Sequence, residues 1–173
     1  MLGCASLVTE SKRVDLFKAC WQEDKREFQY FACDYLKKHQ KKLTFEDLPR
    51  LVPYLKEKQW WDTIDSLDTV VGNINFPDKR MNETMLDWSQ DPDFWIRRVA
   101  INHQRGRKKN TNTTLLDQIL VNNLGSDEFF INKAIGWALR EYSKTDPEWV
   151  KSFIEHNKES MANLSIREGS KYI

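Results

Sequence analysis

The stretch QWWDTIDSLDTVVG, residues 59–72, places two tryptophans before three aspartates inside what reads as one helix. Two sets of residues follow helical spacing in this segment, and they are offset from each other by one position. One of them joins Trp61 to Asp65 and Asp68 on a mixed face. We therefore expect Trp61 one turn before Asp65, outside the core; the alternative is a tryptophan at the core's edge above solvated aspartates. The other stripe has the spacing of a packing face and contains Trp60, Ile64, Leu67, Val71 and Ile74.

A second mixed face is predicted for residues 127–144. Its packing stripe runs from Ile131 to Tyr142, and the neighbouring face reads Lys133, Trp137, Arg140 and Lys144 at offsets of 0, 4, 7 and 11. A large aromatic ring held between cations outside the core is a candidate for binding. The alternative is a cation–π pair that only decorates a surface helix.

Positive charge is concentrated between residues 97 and 109, which hold six Arg or Lys and no acid in a protein of net charge +1. Such a block predicts a polyanionic partner, most simply the phosphates of nucleic acid. A solvated basic loop or a nuclear-import-like patch is the alternative.

Helix signals recur along the whole chain, whereas strand signals are almost absent. Asp91-Pro92 and Asp146-Pro147 each predict an N-cap followed by proline in the first turn. We predict one all-α domain over residues 1–173. Paired helices at a period of about 35–45 residues indicate a HEAT- or armadillo-like repeat solenoid, and a plain helical bundle, which would show the same helices, is the alternative. We predict helices at about 11–20, 23–40, 44–57, 60–74, 79–89, 92–105, 112–124, 127–144, 146–157 and 164–172.

Several classes of protein are excluded. The cysteines form no CxxC pair, which argues against a disulfide framework or a zinc site and favours reduced thiols in the cytoplasm. No apolar run approaches the length of a membrane span, and the N-terminus is too polar for a signal peptide. The GRKKN segment lacks the second glycine and the Lys-Ser/Thr pair of a P-loop.

Five segments occur in an order that resembles the AlkD-type DNA glycosylases, a HEAT-like-repeat family. They are KREFQYFACDYL, QWWDTIDS, FWIRRVAI, FFINKAIGWALREYSKTDPEWV and LSIREGSKYI, and they cover the chain from about Lys25 to Ile173. The resemblance implies a curved α-α superhelix whose concave basic cleft grips duplex DNA in the bacterial cytoplasm. It also implies hydrolysis of the N-glycosidic bond of cationic N3- or N7-alkylated purines, without a metal or other cofactor.

The same resemblance assigns roles to residues. It implies Asp65, Trp61 and Trp137 as the catalytic group, with Arg98 and Arg140 on the flanking phosphates. Asp65 would stabilise positive charge on the sugar and orient or deprotonate the attacking water. Further grip on DNA is expected from Arg105, Arg107, Lys108, Lys109 and Lys133. Asp68 is expected on the helix surface or behind the site, where it could hold an arginine.

Two departures from the family pattern affect these expectations. Family members usually begin with further helices, whereas about 24 residues precede the KREFQY match, so we expect the usual N-terminal helices to be missing. Gly106 stands where the family pattern predicts another cation. We expect a monomer on DNA, with a dimer as the alternative, formed through an uncapped face of Leu16, Phe17, Phe28 and Phe31. A DNA-binding repeat protein without catalysis and a protein-binding scaffold remain alternative functions.

Overall fold

Over the residues that the structure describes, ten α-helices joined by short loops and 3-10 turns make up the fold. The computed structural model describes residues 10–74 and 76–173, with side chains from Asp15 onward, and these ranges contain no strand. Each predicted segment corresponds to one observed helix, which confirms the all-α prediction. The helices are α1 Glu10–Gln22, α2 Arg26–His39, α3 Leu48–Lys56, α4 Trp61–Asn73, α5 Lys79–Trp88, α6 Phe94–Asn102, α7 Thr113–Val121, α8 Phe129–Ser143, α9 Pro147–Asn157 and α10 Asn163–Gly169.

The helices pack in two layers. Helices α2, α4, α6, α8 and α10 contact one another in chain order, and we refer to them as the even layer. Helices α3, α5, α7 and α9 lie against that row and form the odd layer; α5 contacts α6 and α7, and α9 contacts α8 and α10. Helix α1 packs on α2 at the N-terminal end. A row of helices with its partners behind it is the arrangement expected of a helical repeat.

Polar contacts between neighbouring repeats reveal the period of the array. Side-chain hydrogen bonds between residues 33 to 35 positions apart recur along the described chain, and six pairs illustrate the interval. This interval lies at or just below the lower end of the predicted period of 35–45 residues. The pairs are Gln59–Asp93, Asp65–Arg98, Gly72–Arg107, Ser89–Asn123, Asn132–Ser165 and Lys133–Glu168.

Trp60 does not belong to the packing stripe of α4, so that part of the sequence prediction is wrong. The helix begins at Trp61, and Trp60 precedes it in an extended conformation with 49% of its surface exposed. Its ring instead lies 6.3 Å from Trp95 and 5.7 Å from Phe130. These three rings are 35 positions apart, so they form a ladder across three repeats. The rest of the stripe is buried as predicted, at Ile64, Leu67, Val71 and Ile74.

The proline-linked helix starts are correct at one position and displaced at the other. The carboxylate of Asp146 accepts a hydrogen bond from the backbone N–H of Trp149 at 2.9 Å, and Pro147 begins α9. Helix α6, however, is capped by Asp93 rather than Asp91. The loop before α6 therefore uses two more residues than the proline rule suggested.

The N-terminal face is less apolar than the sequence suggested. Leu16, Phe28 and Phe31 are exposed, but Phe17 is buried. Its ring packs 5.4 Å from Trp21, so Phe17 belongs to the core and not to an uncapped surface. Cys20 and Cys33 are free thiols, and Cys4 lies outside the described residues. No described helix is both long and apolar enough to cross a membrane.

Candidate active site

The predicted catalytic carboxylate, Asp65 of α4, lies on the even layer and is bound by an arginine of the next helix in that layer. Arg98 of α6 donates from Nε and Nη2 to the two oxygens of Asp65, both at 2.8 Å. Its remaining nitrogen, Nη1, donates to the backbone carbonyl of Phe130 at 2.5 Å. A bidentate, charge-assisted pair of this kind fixes the plane of a carboxylate as well as its position. The Asp65 side chain is 13% exposed, so it is not completely buried behind its partner.

This geometry gives Arg98 a different environment from the one predicted for a phosphate ligand. The residue is 1% exposed, and all three of its nitrogen atoms donate to protein oxygens. Its guanidinium group thus positions Asp65 and ties α4 to the start of α8. Contact with a phosphate remains a prediction for this residue, and it would require the side chain to leave these partners.

Trp137 of α8 lies at the centre of a group of cations. Its ring centroid is 5.5 to 5.8 Å from four positively charged groups, contributed by α6, the loop after α6, and α8. The sequence predicted two of these contacts from the face of α8, and the fold brings in the other two. The four residues are Arg98, Arg105, Lys133 and Arg140.

Glu168 of α10 anchors the α8 cations and was not found from the sequence. Its carboxylate accepts from Lys133 at 3.0 Å and from Arg140 at 2.8 Å, and also from Lys171 at 2.9 Å. The hydrogen bonds and positive charges of Lys171 and Lys133 lower the pKa of Glu168 to about 2. The close approach of α10 requires a glycine, because a Cβ at Gly136 would lie 2.5 Å from the Glu168 Cβ. The interval of 35 residues between Lys133 and Glu168 is the repeat period, which is the one sequence signal that could have paired them.

Asp68 lies one turn after Asp65 and is completely buried, at 0% exposure. Its Oδ1 accepts from the Thr69 hydroxyl at 2.9 Å and from Arg105 at 3.4 Å. Burial raises the pKa of Asp68 to about 7, and the positive charge of Arg105 opposes that rise. The predicted surface position of Asp68 is wrong. The predicted alternative, in which Asp68 pairs with an arginine and holds it in place, is correct.

The rest of the basic run does not join the group around Trp137. Arg107 is half-buried, donates to the backbone carbonyl of Gly72, and lies 4.4 Å from the ring centroid of Phe76. Burial lowers the pKa of Arg107 to about 10. Lys108 and Lys109 form a 3-10 turn with exposed side chains. Only these two lysines therefore keep fully exposed positive charge in the segment after Arg105.

Two cavities meet at Trp137. The first, of about 240 Å³, is predominantly apolar and is lined by Trp61, Arg98, Phe129, Phe130, Lys133 and Trp137. The second, of about 620 Å³, is more polar and is lined by Thr69, Arg105, Gly106, Trp137, Arg140, Glu141, Lys144 and Tyr172. Trp61 and Trp137 thus line a common space together with Arg98, the residue that binds the Asp65 carboxylate. Within the described ranges, no group of three or more metal-ligating side chains is placed to hold a metal ion.

Comparisons with known proteins give a family match and a similar solved structure. The family model described as DNA alkylation repair enzyme matches residues 4–173. A solved structure described as a predicted DNA alkylation repair enzyme from Enterococcus faecalis is similar, with 34% sequence identity and a TM-score of 0.87. The similarity covers 95% of this chain and 76% of that one. Among curated proteins there is no significant match.

Proposed function

The chain belongs to the DNA alkylation repair enzyme family, and on this premise we propose that it is a DNA glycosylase. Its proposed substrates are N3- and N7-alkylated purines in duplex DNA, and the reaction is hydrolysis of the bond between the base and the deoxyribose. The proposal includes a curved solenoid that presents its even layer to the DNA. It requires neither a metal ion nor an organic cofactor.

The observation that carries the proposal is the Asp65 carboxylate, which two hydrogen bonds fix to Arg98, a residue in the wall of the cavity between the two tryptophans. Cleavage of a glycosidic bond passes through a state with positive charge on the sugar. A carboxylate that is already oriented stabilises such a charge without having to reorganise during the reaction. Each oxygen of Asp65 also keeps a lone pair for a water molecule beyond its bond to Arg98.

One carboxylate suffices for this reaction because the leaving group is already charged. The electron pair of the breaking C–N bond moves to the alkylated purine, which departs as a neutral base and needs no proton from an acid. Water attacks the sugar carbon and gives up a proton, which Asp65 accepts. Another carboxylate on the same helix, Asp68, is completely buried and is not needed for either step.

Binding of the DNA phosphates is assigned to the cations that remain partly exposed. Lys133, Arg140 and Arg105 keep about a quarter of their side-chain surface exposed while carboxylates hold them in place. Pre-positioned cations lose little freedom when a phosphate arrives, and each released counterion makes binding dependent on salt. Lys108 and Lys109 add positive charge without a fixed geometry.

The substitution Asp65→Asn tests the proposal, because it removes the charge and keeps the shape of the side chain. We expect release of 7-methylguanine from methylated duplex DNA to fall at least about 100-fold, since both charge stabilisation and proton transfer are lost. Affinity for DNA should change only a few-fold. The base release is measured by chromatography. Folding is checked by a melting curve, because the substitution removes the negative charge that pairs with the buried Arg98.

Asp87→Asn is the matched control, since Asp87 is an exposed carboxylate on α5 of the odd layer. It should release base at the wild-type rate. Unchanged release by the folded Asp65→Asn variant would contradict the role of Asp65. Salt-sensitive DNA binding by a wild-type protein that releases no base would instead favour the non-catalytic alternative, and absence of DNA binding at low salt would favour a scaffold.

A further inference from the structure

The two oxygens of the buried Asp68 carboxylate have unequal partners. The side chain is 0% exposed, and Oδ1 accepts hydrogen bonds from the Thr69 hydroxyl at 2.9 Å and from Arg105 at 3.4 Å. Oδ2 has no hydrogen-bond partner in the part of the chain that the structure describes. A buried carboxylate oxygen without a partner is costly when the group is ionised, so this environment favours the protonated carboxyl group.

Asn102 of α6 is placed to be the missing partner. It is 0% exposed, and neither its amide nitrogen nor its amide oxygen has a hydrogen-bond partner among the described residues. Its side chain is nevertheless close enough to Asp68 to influence the pKa of that carboxyl group. A primary amide can donate to an ionised carboxylate through its nitrogen, or accept from a protonated carboxyl group through its oxygen. The Asp68–Asn102 pair can therefore accommodate both protonation states.

The charge that acts on Asp68 from outside its own helix comes from Arg105. Burial raises the pKa of Asp68 to about 7, the positive charge of Arg105 opposes that rise, and the negative charge of Asp65 adds to it. Helix α3 and the turn Gln40–Lys42 also contact α4, but their described residues supply no ion pair or hydrogen bond to Asp68. The arginines that α6 and α2 direct toward α4 are bound to its other carboxylates. These pairs are Arg98–Asp65 and Arg26–Asp62.

Arg105 connects this buried carboxyl group with the surface. Its side chain is 24% exposed, and it lines the more polar cavity of about 620 Å³ together with Arg140 and Lys144. Among the described residues only Asp68 accepts a hydrogen bond from its guanidinium group, and it does so from Nη2. The other two nitrogens of Arg105 are thus free to bind a phosphate in that cavity, which would bring negative charge close to Asp68.

We propose that Asp68 and Asn102 form a buried proton-binding site that is filled when the protein binds DNA. With the proton on Oδ2 and directed to the Asn102 amide oxygen, Oδ1 still accepts from Thr69 and Arg105. Arg105 then keeps its position, but its positive charge is no longer neutralised. Asp68 is therefore a positioning residue whose protonation state sets how much charge Arg105 presents to a phosphate. The inference rests on the proposed function and adds to it a coupling between DNA binding and proton uptake.

The direction of the coupling follows from the charges. A phosphate beside Arg105 adds negative charge near Asp68, and negative charge raises the pKa of a carboxyl group. Between the pKa of about 7 in the free protein and the higher pKa in the complex, the complex binds a proton that the free protein does not bind. Affinity for DNA must then rise as the pH falls through this interval, because proton binding and DNA binding are linked.

The test measures the dissociation constant of an undamaged DNA duplex from about pH 5.5 to about pH 8.5 at constant salt. The wild-type protein should bind about threefold to tenfold more tightly at the low end of this range, with the change centred just above about pH 7. Asp68→Asn imitates the protonated state, because it keeps Oδ1 and removes the charge. It should bind at every pH with the affinity that the wild-type protein has at the low end.

Arg105→Gln tests the same coupling from the other side. It should bind weakly at every pH, because it removes the cation through which Asp68 and the phosphate interact. Its side chain is partly exposed, so this variant keeps the test decisive if Asp68→Asn fails to fold. Calorimetry in two buffers with different ionisation enthalpies should detect proton uptake by the wild-type protein at about pH 7.5, and both variants should lack that uptake.

Asp87→Asn is again the control, since this exposed carboxylate of α5 should leave the pH dependence of the wild-type protein unchanged. A wild-type affinity that does not change with pH overturns the inference, as does an Asp68→Asn variant that keeps the wild-type pH dependence. Weaker binding by Asp68→Asn than by the wild-type protein at about pH 8.5 also overturns it. That result would mean that Arg105 needs the ionised carboxylate to bind a phosphate.

Failure of the inference differs from failure of the proposed function. If the wild-type protein releases 7-methylguanine and binds duplex DNA equally well across the pH range, the glycosylase stands and the proton-binding site is wrong. If the wild-type protein binds no duplex DNA at low salt at any pH and releases no base, the proposed function itself is wrong.

Discussion

The two layers of the protein bury different kinds of residue. The described buried residues of the odd layer are all apolar, from Leu48 in α3 to Ile154 in α9. The even layer also buries polar and charged side chains in every helix. These are Gln29, Thr63, Asp68, Arg98, Asn102, Asn132, Ser143, Ser165 and Glu168.

This difference separates the residues that mainly stabilise the fold from the residues that support the candidate site. Apolar burial stabilises a fold directly, whereas a buried charge is costly unless a partner compensates for it. A chain under selection for stability alone would place leucine at positions such as Asp68. The even layer keeps charges there because they hold the groups that face the cavity. The comparison predicts that odd-layer substitutions change stability alone, while even-layer substitutions change stability and activity separately.

Arg98→Met should have the largest effect, because it leaves Asp65 without its partner on the even layer. Removing one member of a buried ion pair costs about 3–5 kcal/mol of the free energy of unfolding. Base release should be lost as well, since the carboxylate is no longer fixed. Chemical denaturation and the base-release assay measure the two effects on the same sample.

Met85→Ala in α5 is the odd-layer counterpart, because Met85 is fully buried among apolar residues. A similar loss of about 2–5 kcal/mol is expected from the cavity that it leaves. Its folded fraction should release base at the wild-type rate. If the folded Met85→Ala protein were as inactive as Arg98→Met, the separation of the two layers would be wrong.

Gly136→Ala should have the next largest effect, because it pushes α10 away from α8. The added methyl group would lie 2.5 Å from the Glu168 Cβ and 3.1 Å from the Ser165 carbonyl oxygen. Overpacking of this kind costs about 1–3 kcal/mol. It should also weaken DNA binding, since Glu168 then no longer holds Lys133 and Arg140. A stable variant with wild-type salt-dependent affinity would show that Glu168 does not position these cations.

The sequence was sufficient to predict the helices and the direction of the two mixed faces. Spacing along a helix determines which side a residue occupies, so Trp61, Asp65 and Trp137 could be separated from the core before the fold was known. The order of the segments was sufficient for the family. Trp60 was misplaced because its role depended on whether the helix began at residue 60 or 61, and boundaries are the weakest part of such predictions.

What the sequence could not provide were the partners across helices. Arg98 was assigned to phosphates through the family resemblance, which does not reveal burial. Its burial involves the carbonyl of Phe130 and Asp65, both more than 30 positions away. Glu168 was overlooked for the same reason, since its three donors include only one, Lys171, on its own turn. Pairing at the repeat interval becomes visible only when the packing of the layers is known.

Asp68→Asn should have the smallest effect and the opposite sign, because it removes a buried charge from the even layer. In the unfolded chain an aspartate has a pKa of about 3.9, whereas burial raises the pKa of Asp68 to about 7 in the folded protein. Between these values the folded state binds a proton that the unfolded state does not bind. The contribution of Asp68 to stability is thus most favourable below about pH 4 and is lost as the pH rises to about 7.

The variant should therefore melt at the wild-type temperature near pH 4 and gain about 1–2 kcal/mol at pH 8. The asparagine can still accept from the Thr69 hydroxyl, and Arg105 is partly exposed, so its charge remains hydrated. Thermal melts across this pH range measure the gain, with the exposed Asp87→Asn as a control that should show none. A variant that is less stable than the wild type at pH 8 would mean that the Asp68–Arg105 pair stabilises the fold, and the even layer would then keep its buried charge for stability as well as for the site.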